Sequence, residues 1–483
     1  MNVRYSPILI LIACCTAVLV SFTTTARAGI KVGVGDTIIT PPVGMPMAGY
    51  ARKSVSDGVH DDLHARSLVV EGNDGATAVL MSLSIINIQR PCFDQIREGI
   101  NRSTGIPTSS IVISCTHTHS GPQVGGLDDP YTKTLIERSI ESAVIAWKNR
   151  VPGRIGAAST TVFELGRNDR RMLYGGVHPD PVVGVIKVEN TRGKLLGVAF
   201  NYGCHPSTLD LHSYKFTEDW PYYAIEGIKK QARKNIWVAY YQSAQGDIKV
   251  GYTAELSAIG AAIPLRTFEY AEKKGNQMTE AVLKVLPSIK TTASLDVGTA
   301  ESSFDFPARE SYRLTVEEAQ KEANAAKAAM EEMEKKIDVL GPRFIDTYRV
   351  ANYQAGLRLS LAKRMSDPNR PKSITILQQA VRIGDMVFVT FPCEVFSEIG
   401  LKVKQQSPIK KTFVIGLAGA MGGYLPSAEE FKEEGYAALI SPFSPKTEQS
   451  LIESSLEMIG KMQENIRRLN PEGNKYRRKK YRK

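Results

Sequence analysis

The stretch Ser110-Ile111-Val112-Ile113-Ser114-Cys115-Thr116-His117-Thr118-His119-Ser120-Gly121-Pro122 decides how this chain is read. Its first six residues form a β-branched, apolar run of strand length, and Gly-Pro closes the stretch as a turn. Two imidazoles therefore stand at the end of a buried strand. A strand end holds a side chain rigidly while leaving it reachable, which suits a metal ligand. In His-x-His at β spacing both rings point to one face. One ring can bind Zn²⁺ while the other orients water or substrate, or both can bind. A second stretch repeats the arrangement: the strand-like run 195–202 leads into Gly203-Cys204-His205-Pro206. All seven histidines (His60, His64, His117, His119, His178, His205, His212) lie between positions 60 and 212.

Outward from these stretches the pattern alternates. Strands are predicted at 68–70, 78–85 and 110–115, with helices over 94–101 and 131–147; in the latter Leu135, Ile136, Ile140, Val144 and Trp147 recur at helical spacing. Runs 181–188 and 195–202 flank Glu189-Asn190-Thr191-Arg192-Gly193, a hairpin signal. Another strand is expected at 236–242. Residues 315–365 are rich in Ala, Glu and Lys, open with the capping box Thr315-Val316-Glu317-Glu318, and are broken by Gly341-Pro342. That pattern predicts an αα-hairpin inserted between strands, since strands resume at 374–377 and 386–391. A closing amphipathic helix is expected over 448–469. The fold class is α/β (or α+β), with mixed β-sheets flanked by helices.

The chain has 483 residues, 42% hydrophobic and 23% charged, which excludes disorder, collagen and coiled coil as global descriptions. Residues 1–28 read as a signal peptide: Arg4, an apolar run over 8–20, and the small-x-small site Ala26-Arg27-Ala28. The run is shorter than the roughly 20 residues that a spanning helix needs. The expected location is therefore exported, periplasmic or extracellular. Cys92, Cys115, Cys204 and Cys393 remain in the mature chain; these are too few for a disulfide scaffold, though one bridge is possible in an oxidising compartment. The net charge of +11 is a property of the C-terminus. Without Arg4 and Arg27 it is +9, and seven Lys and Arg in 475–483 leave +2 for residues 29–474. Residues 471–483 read as a solvated basic tail, open to weak contact with an anionic surface. Nucleic acid is not an expected partner of an exported protein.

A metallo-β-lactamase-type site would follow the His pair with Asp and His, where Ser120-Gly121-Pro122 stands. A TIM-barrel amidohydrolase would continue in regular βα units, which the hairpin and the helical insertion do not fit. The chain instead resembles the amino-terminal catalytic domain of the neutral/alkaline ceramidase family. The likeness runs from about residue 33 to 469 and rests on motifs in order. They include Asp36-Thr37-Ile38-Ile39-Thr40-Pro41-Pro42, Gly49-Tyr50, Gly58-Val59-His60-Asp61-Asp62-Leu63, the stretch 116–122, Arg167-Asn168-Asp169-Arg170, Asn201-Tyr202-Gly203-Cys204-His205-Pro206, Asp219-Trp220-Pro221, Gln245-Gly246-Asp247-Ile248, Pro392-Cys393-Glu394 and Gly423-Tyr424.

The resemblance implies a catalytic unit over 29–470, with the helical hairpin at about 315–366, acting as a zinc-dependent hydrolase of amide (N-acyl) bonds on a small-molecule or lipid amide. A non-catalytic metal- or lipid-binding homologue, or an esterase on another substrate, is the alternative. The implied ligands are His117, His205, Glu394 and Tyr424. His119, Arg170 and Asp247 are implied in catalysis, with Arg167 competing with Arg170 across one or two alignment positions. The family carries Gly-Asp-Val-Ser where this chain has Gly246-Asp247-Ile248-Lys249, so Lys249 takes the place of a serine and is expected at the substrate. The family's carboxy-terminal β-sandwich has no counterpart in this sequence. Cys115, Cys204 and Cys393 are expected to be packing residues.

Overall fold

The computed structural model describes residues 29–169, 176–232, 235–420 and 422–469. The signal-peptide segment, Arg170 and the basic tail lie outside the described residues.

Eight strands form the larger sheet: β1 Lys31–Ile38, β2 His64–Glu71, β3 Thr77–Leu83, β4 Ile111–Cys115, β5 Val151–Thr161, β6 Val182–Asn190, β7 Leu195–Tyr202 and β8 Trp237–Gln242. Their order is β8-β7-β6-β5-β1-β2-β3-β4. The middle is antiparallel, while β3/β4 and β7/β8 are parallel pairs at the two edges. A four-stranded sheet holds β9 Val297–Pro307, β10 Ser373–Ile383, β11 Met386–Thr390 and β13 Lys411–Ile415, in that order. Between and after these lie the two-residue strands β12 Glu394–Val395 and β14 Tyr424–Leu425, paired in parallel.

Side-chain alternation shows why strands such as 78–83 and 111–115 read as unbroken apolar runs: both faces are covered. Val69, Val79, Met81, Ile111 and Ile113 face helices α1 Arg90–Thr104 and α2 Pro130–Lys148. Leu68, Leu80, Val112, Ile186 and Tyr241 face the smaller sheet through Val381, Phe388 and Phe413. Helices α3 Trp220–Gln231 and α4 Phe268–Val285 cover the β6–β8 region on its other side. Helices α7 Ser397–Gln406 and α8 Thr447–Leu469 cover the outer face of the smaller sheet. The result is a helix–sheet–sheet–helix stack, the mixed-sheet architecture expected from sequence.

The capping box at Thr315 and Glu318 forms and starts α5 Val316–Glu334; α6 Pro342–Ser366 completes the αα-hairpin, with a short helix Ile337–Leu340 between them. Arg364 docks α6 by donating to the carbonyls of Ile440 (3.0 Å) and Leu439 (2.9 Å) at the end of the helix Tyr436–Ile440. Helix α1 is longer than the predicted 94–101, because Pro91 fits its first turn and Gly105 closes it at φ +74°. The four described cysteines are free and buried, so no bridge forms among them.

Candidate metal and active site

The site lies at the carboxyl ends of β4, β7, β8 and β11, where the two sheets are sewn together. Leu417 and Ala418, just past β13, bridge Cys115 and Phe391: the Cys115 amide donates to Leu417 (3.2 Å) and the Ala418 amide to Phe391 (2.9 Å). The Gln242 side chain, fully buried at the end of β8, ties the two histidine loops to each other. Its Nε2 donates to the carbonyls of Thr116 and Cys204 at 3.0 Å each, and its Oε1 accepts from the Cys204 amide at 3.2 Å. Thr116 precedes His117 and Cys204 precedes His205, so one amide sets the spacing of both imidazoles.

His117 is not at β spacing. Strand β4 stops at Cys115, and His117 takes φ +70°, a left-handed conformation that costs a non-glycine residue about 1–2 kcal/mol. The residue is held there by its amide on Ile85 (3.0 Å) and its Nδ1 on the Ile86 carbonyl (2.8 Å). The two rings converge nonetheless, with centroids 5.0 Å apart at an interplanar angle of 80°. His205 repeats the fixing device: its Nδ1 meets the Ile248 carbonyl at 2.9 Å.

A carbonyl only accepts, so in both rings Nδ1 carries the proton and Nε2 presents a lone pair. Both Nε2 atoms point at one carboxylate oxygen, Glu394 Oε2, at 3.3 Å from His117 and 3.0 Å from His205. Two lone pairs and an anionic oxygen converging in a buried site repel unless a cation lies among them. That donor set fits a divalent metal, and fixing the far nitrogen of each ring is the usual way of orienting metal-binding imidazoles. Burial first, then Lys249, lower His205 to about 4. Tyr424 is the register partner of Glu394 in the β12/β14 pair. Burial first and then that carboxylate push its phenol well above the usual range.

One ring nitrogen from each of His117, His119 and His205 lies within 4.8 Å of the other two, so by distance His119 is also within reach of a shared ion. Its backbone is fixed by its amide on Pro206 (3.0 Å) and its carbonyl on Arg52 (2.9 Å), but neither ring nitrogen has a hydrogen-bond partner among the described residues. Burial, followed by His117, His205 and Lys249, keeps the ring neutral, well below its ordinary pKa. Gly49 makes room for it. A Cβ there would lie 2.8 Å from His119 Cα, and φ is +94°.

Asp247 is buried away from the cavity lining. Its carboxylate accepts from the Ser397 amide (2.7 Å), the Ser397 hydroxyl (2.9 Å) and the Asn168 amide nitrogen (2.7 Å). Burial raises its pKa to about 7. The preceding Gly246 lets the loop pass the Glu394 carbonyl, which would be 2.6 Å from any Cβ. Lys249, 4% exposed, faces the cavity beside His119. Arg167 is its register partner on the neighbouring strand and is exposed.

The cavity holds about 460 Å³ and is lined by Tyr50, His119, Ser207, Lys249, Tyr353 and Tyr424, among others. Sequence reading missed three contributors. Tyr50 packs on His119 at 4.8 Å and had a signal in the Gly49-Tyr50 motif. Gln242 and Tyr353 had none, since each sits in an ordinary strand or helix pattern. Tyr353 comes from α6, so the inserted hairpin supplies a wall of the cavity.

No family model matches the chain. A neutral ceramidase of Drosophila pseudoobscura pseudoobscura is 28% identical over 239 residues, spanning 44% of this chain and 33% of that protein. A neutral ceramidase of Drosophila melanogaster is 22% identical over 511 aligned positions, spanning 86% of this chain and 72% of that protein. The neutral ceramidase of Pseudomonas aeruginosa superposes with a TM-score of 0.70 at 17% identity, covering 91% of this chain and 75% of that one. By sequence and by fold, the chain is similar to the neutral ceramidases. A ceramidase structure described as complexed with C2 gives the same TM-score, 0.70, at 16% identity. The ceramidase likeness thus extends over both sheets, and the chain spans a third of the first of these relatives.

Proposed function

We propose that the protein is a zinc-dependent hydrolase of amide (N-acyl) bonds, ceramidase-like in chemistry, with residues 29–470 as its catalytic unit. One observation carries this reading: two tautomer-fixed imidazoles aim their Nε2 lone pairs at a single oxygen of buried Glu394, whose register partner Tyr424 lines a cavity. His117, His205, Glu394 and Tyr424 are the proposed ligands, and mixed nitrogen and oxygen donors favour zinc over calcium or magnesium. When bound, zinc supplies Lewis-acid polarisation of the scissile carbonyl and activation of water.

The chain's own residues supply the remainder. His119, neutral and with both nitrogens available, takes a proton from the attacking water and returns it to the leaving nitrogen. Tyr50 and Gly49 hold that ring in place. Asp247 acts by fixing the β12 loop through Ser397. Arg170 is the proposed holder of developing negative charge.

Export is also proposed, from the signal-like 1–28 segment; among the described residues no helix is long and apolar enough to cross a membrane. The test is elemental analysis with an assay on model amides. The expected result is about one zinc per chain, turnover abolished by chelator, and no bound metal in His117→Ala or His205→Ala. Stoichiometric zinc with no turnover across a broad amide and ester panel would leave a binding protein instead. Zinc retained in both variants would remove the ligand assignment.

A further inference from the structure

The cavity beside His119 has a polar lining. Tyr50, Tyr353, Tyr424, Tyr436 and Ser207 line it, and Lys249 is the charged side chain that lines it among the described residues. No carboxylate side chain is among those lining residues. The neighbouring Glu255 is turned to the Tyr436 amide, at 3.3 Å. A second cation stands directly behind the wall. Arg266, 7% exposed, donates to the Tyr50 hydroxyl at 2.8 Å and to the Ser257 hydroxyl at 3.1 Å, and its guanidinium lies 4.1 Å from the centre of the Tyr252 ring. The Tyr50 O–H itself donates to the Leu209 carbonyl at 3.0 Å, so this pair is a fixed part of the wall. A lining with one cationic side chain in it, another cation behind it and no carboxylate side chain is complementary to an anion, and it offers a neutral, hydroxyl-rich headgroup few strong acceptors.

We propose that the cavity takes an N-acyl substrate with a carboxylate beside the scissile amide, an N-acyl amino acid, and that Lys249 holds that carboxylate. This rests on the amide-hydrolase reading and narrows its substrate class. Hydrolysis adds water across the C–N bond: the hydroxyl goes to the acyl carbon, a proton goes to nitrogen, and a fatty carboxylate and an amino acid are released. Lys249 is buried and shares the cavity lining with His119, so an anion held by Lys249 would sit in the same cavity as the proposed acid–base group.

The experiment compares N-lauroylglycine with N-lauroylethanolamine, which differ in carboxylate against hydroxyl, on zinc-loaded wild type, Lys249→Ser and Lys249→Arg. Wild type is expected to prefer the glycine conjugate. Lys249→Ser is expected to reduce that preference by about ten- to a hundredfold, the size of a charge-assisted hydrogen bond, mainly through KM. Lys249→Arg should restore part of it. Calorimetric binding of a non-hydrolysable sulfonamide analogue of N-lauroylglycine gives a readout independent of turnover. Binding that weakens in Lys249→Ser supports the assignment even if neither amide is hydrolysed, in which case the hydrolase reading alone fails. Hydrolysis of both substrates with a preference unchanged by Lys249→Ser, or faster hydrolysis of the ethanolamide by wild type, overturns the proposal and leaves the hydrolase reading intact.

Discussion

Stability should fall on mild acidification because of one buried imidazole, His178. Its Nε2 donates to the Gly203 carbonyl at 2.8 Å, and its Nδ1 accepts from the Asp180 amide at 3.1 Å. Both nitrogens are thus committed in the neutral ring, and a proton on Nδ1 would break the second bond. Burial is the main cause of a pKa lowered from 6.5 to about 4. The folded pKa lies below the unfolded one, so the unfolded chain binds the proton first. Stability is full above about pH 6.5 and is lost as pH falls toward 4. The gap between 6.5 and about 4, at about 1.4 kcal/mol per pH unit, amounts to about 3 kcal/mol. The bond that the proton breaks is the one to the Asp180 amide, while the Nε2–H bond to Gly203, two residues before His205, is kept. The assay is urea unfolding of wild type and His178→Gln between pH 7.5 and about 4.5, reading the difference between the two proteins so that other groups cancel. The difference should shrink with acid, since the variant lacks the group that titrates. Parallel profiles across the range would refute the argument.

His119→Ala should keep its zinc while kcat falls by about a hundred- to ten-thousandfold, the range for losing a general acid–base; loss of the metal along with activity would make His119 a ligand. Gly49→Ala should lower stability by about 1–3 kcal/mol, because φ is +94° and the new Cβ meets His119 at 2.8 Å. It should also depress kcat, and a thermal melt with an amide assay checks both. Tyr353→Ala, on the half-buried face of α6 and stacked near Tyr436 with centroids 6.2 Å apart, should raise KM several-fold at nearly unchanged melting temperature. An unchanged KM would detach the inserted hairpin from substrate binding.

Much of the architecture was legible because its signals are local. Strands buried on both faces are apolar throughout, as at 78–83 and 111–115, and the Thr315/Glu318 capping box forms as its spacing predicts. The reading of His117 and His119 as a β-spaced pair failed for a local reason that propensity does not carry. The strand ends two residues early, and tertiary bonds to Ile85 and Ile86 hold His117 in a left-handed conformation that histidine seldom takes alone.

Sequence by itself determined the alternation that builds two mixed sheets and a helical insertion. It also picked out the residue types at strand ends that suit a metal. These follow from short-range chemistry: side-chain period, capping and turn composition act over a few residues. What only the tertiary structure decided is convergence. His117 and Glu394 are 277 positions apart in the chain, and their 3.3 Å approach exists because one sheet packs on the other and Gln242 ties the histidine loops across that junction. The cavity's character was decided in the same way. Tyr353 from the hairpin, Tyr50 from the first loop and Lys249 after β8 share no sequence pattern, and meet only because loop closure places the ends of several strands and one inserted helix around a single void.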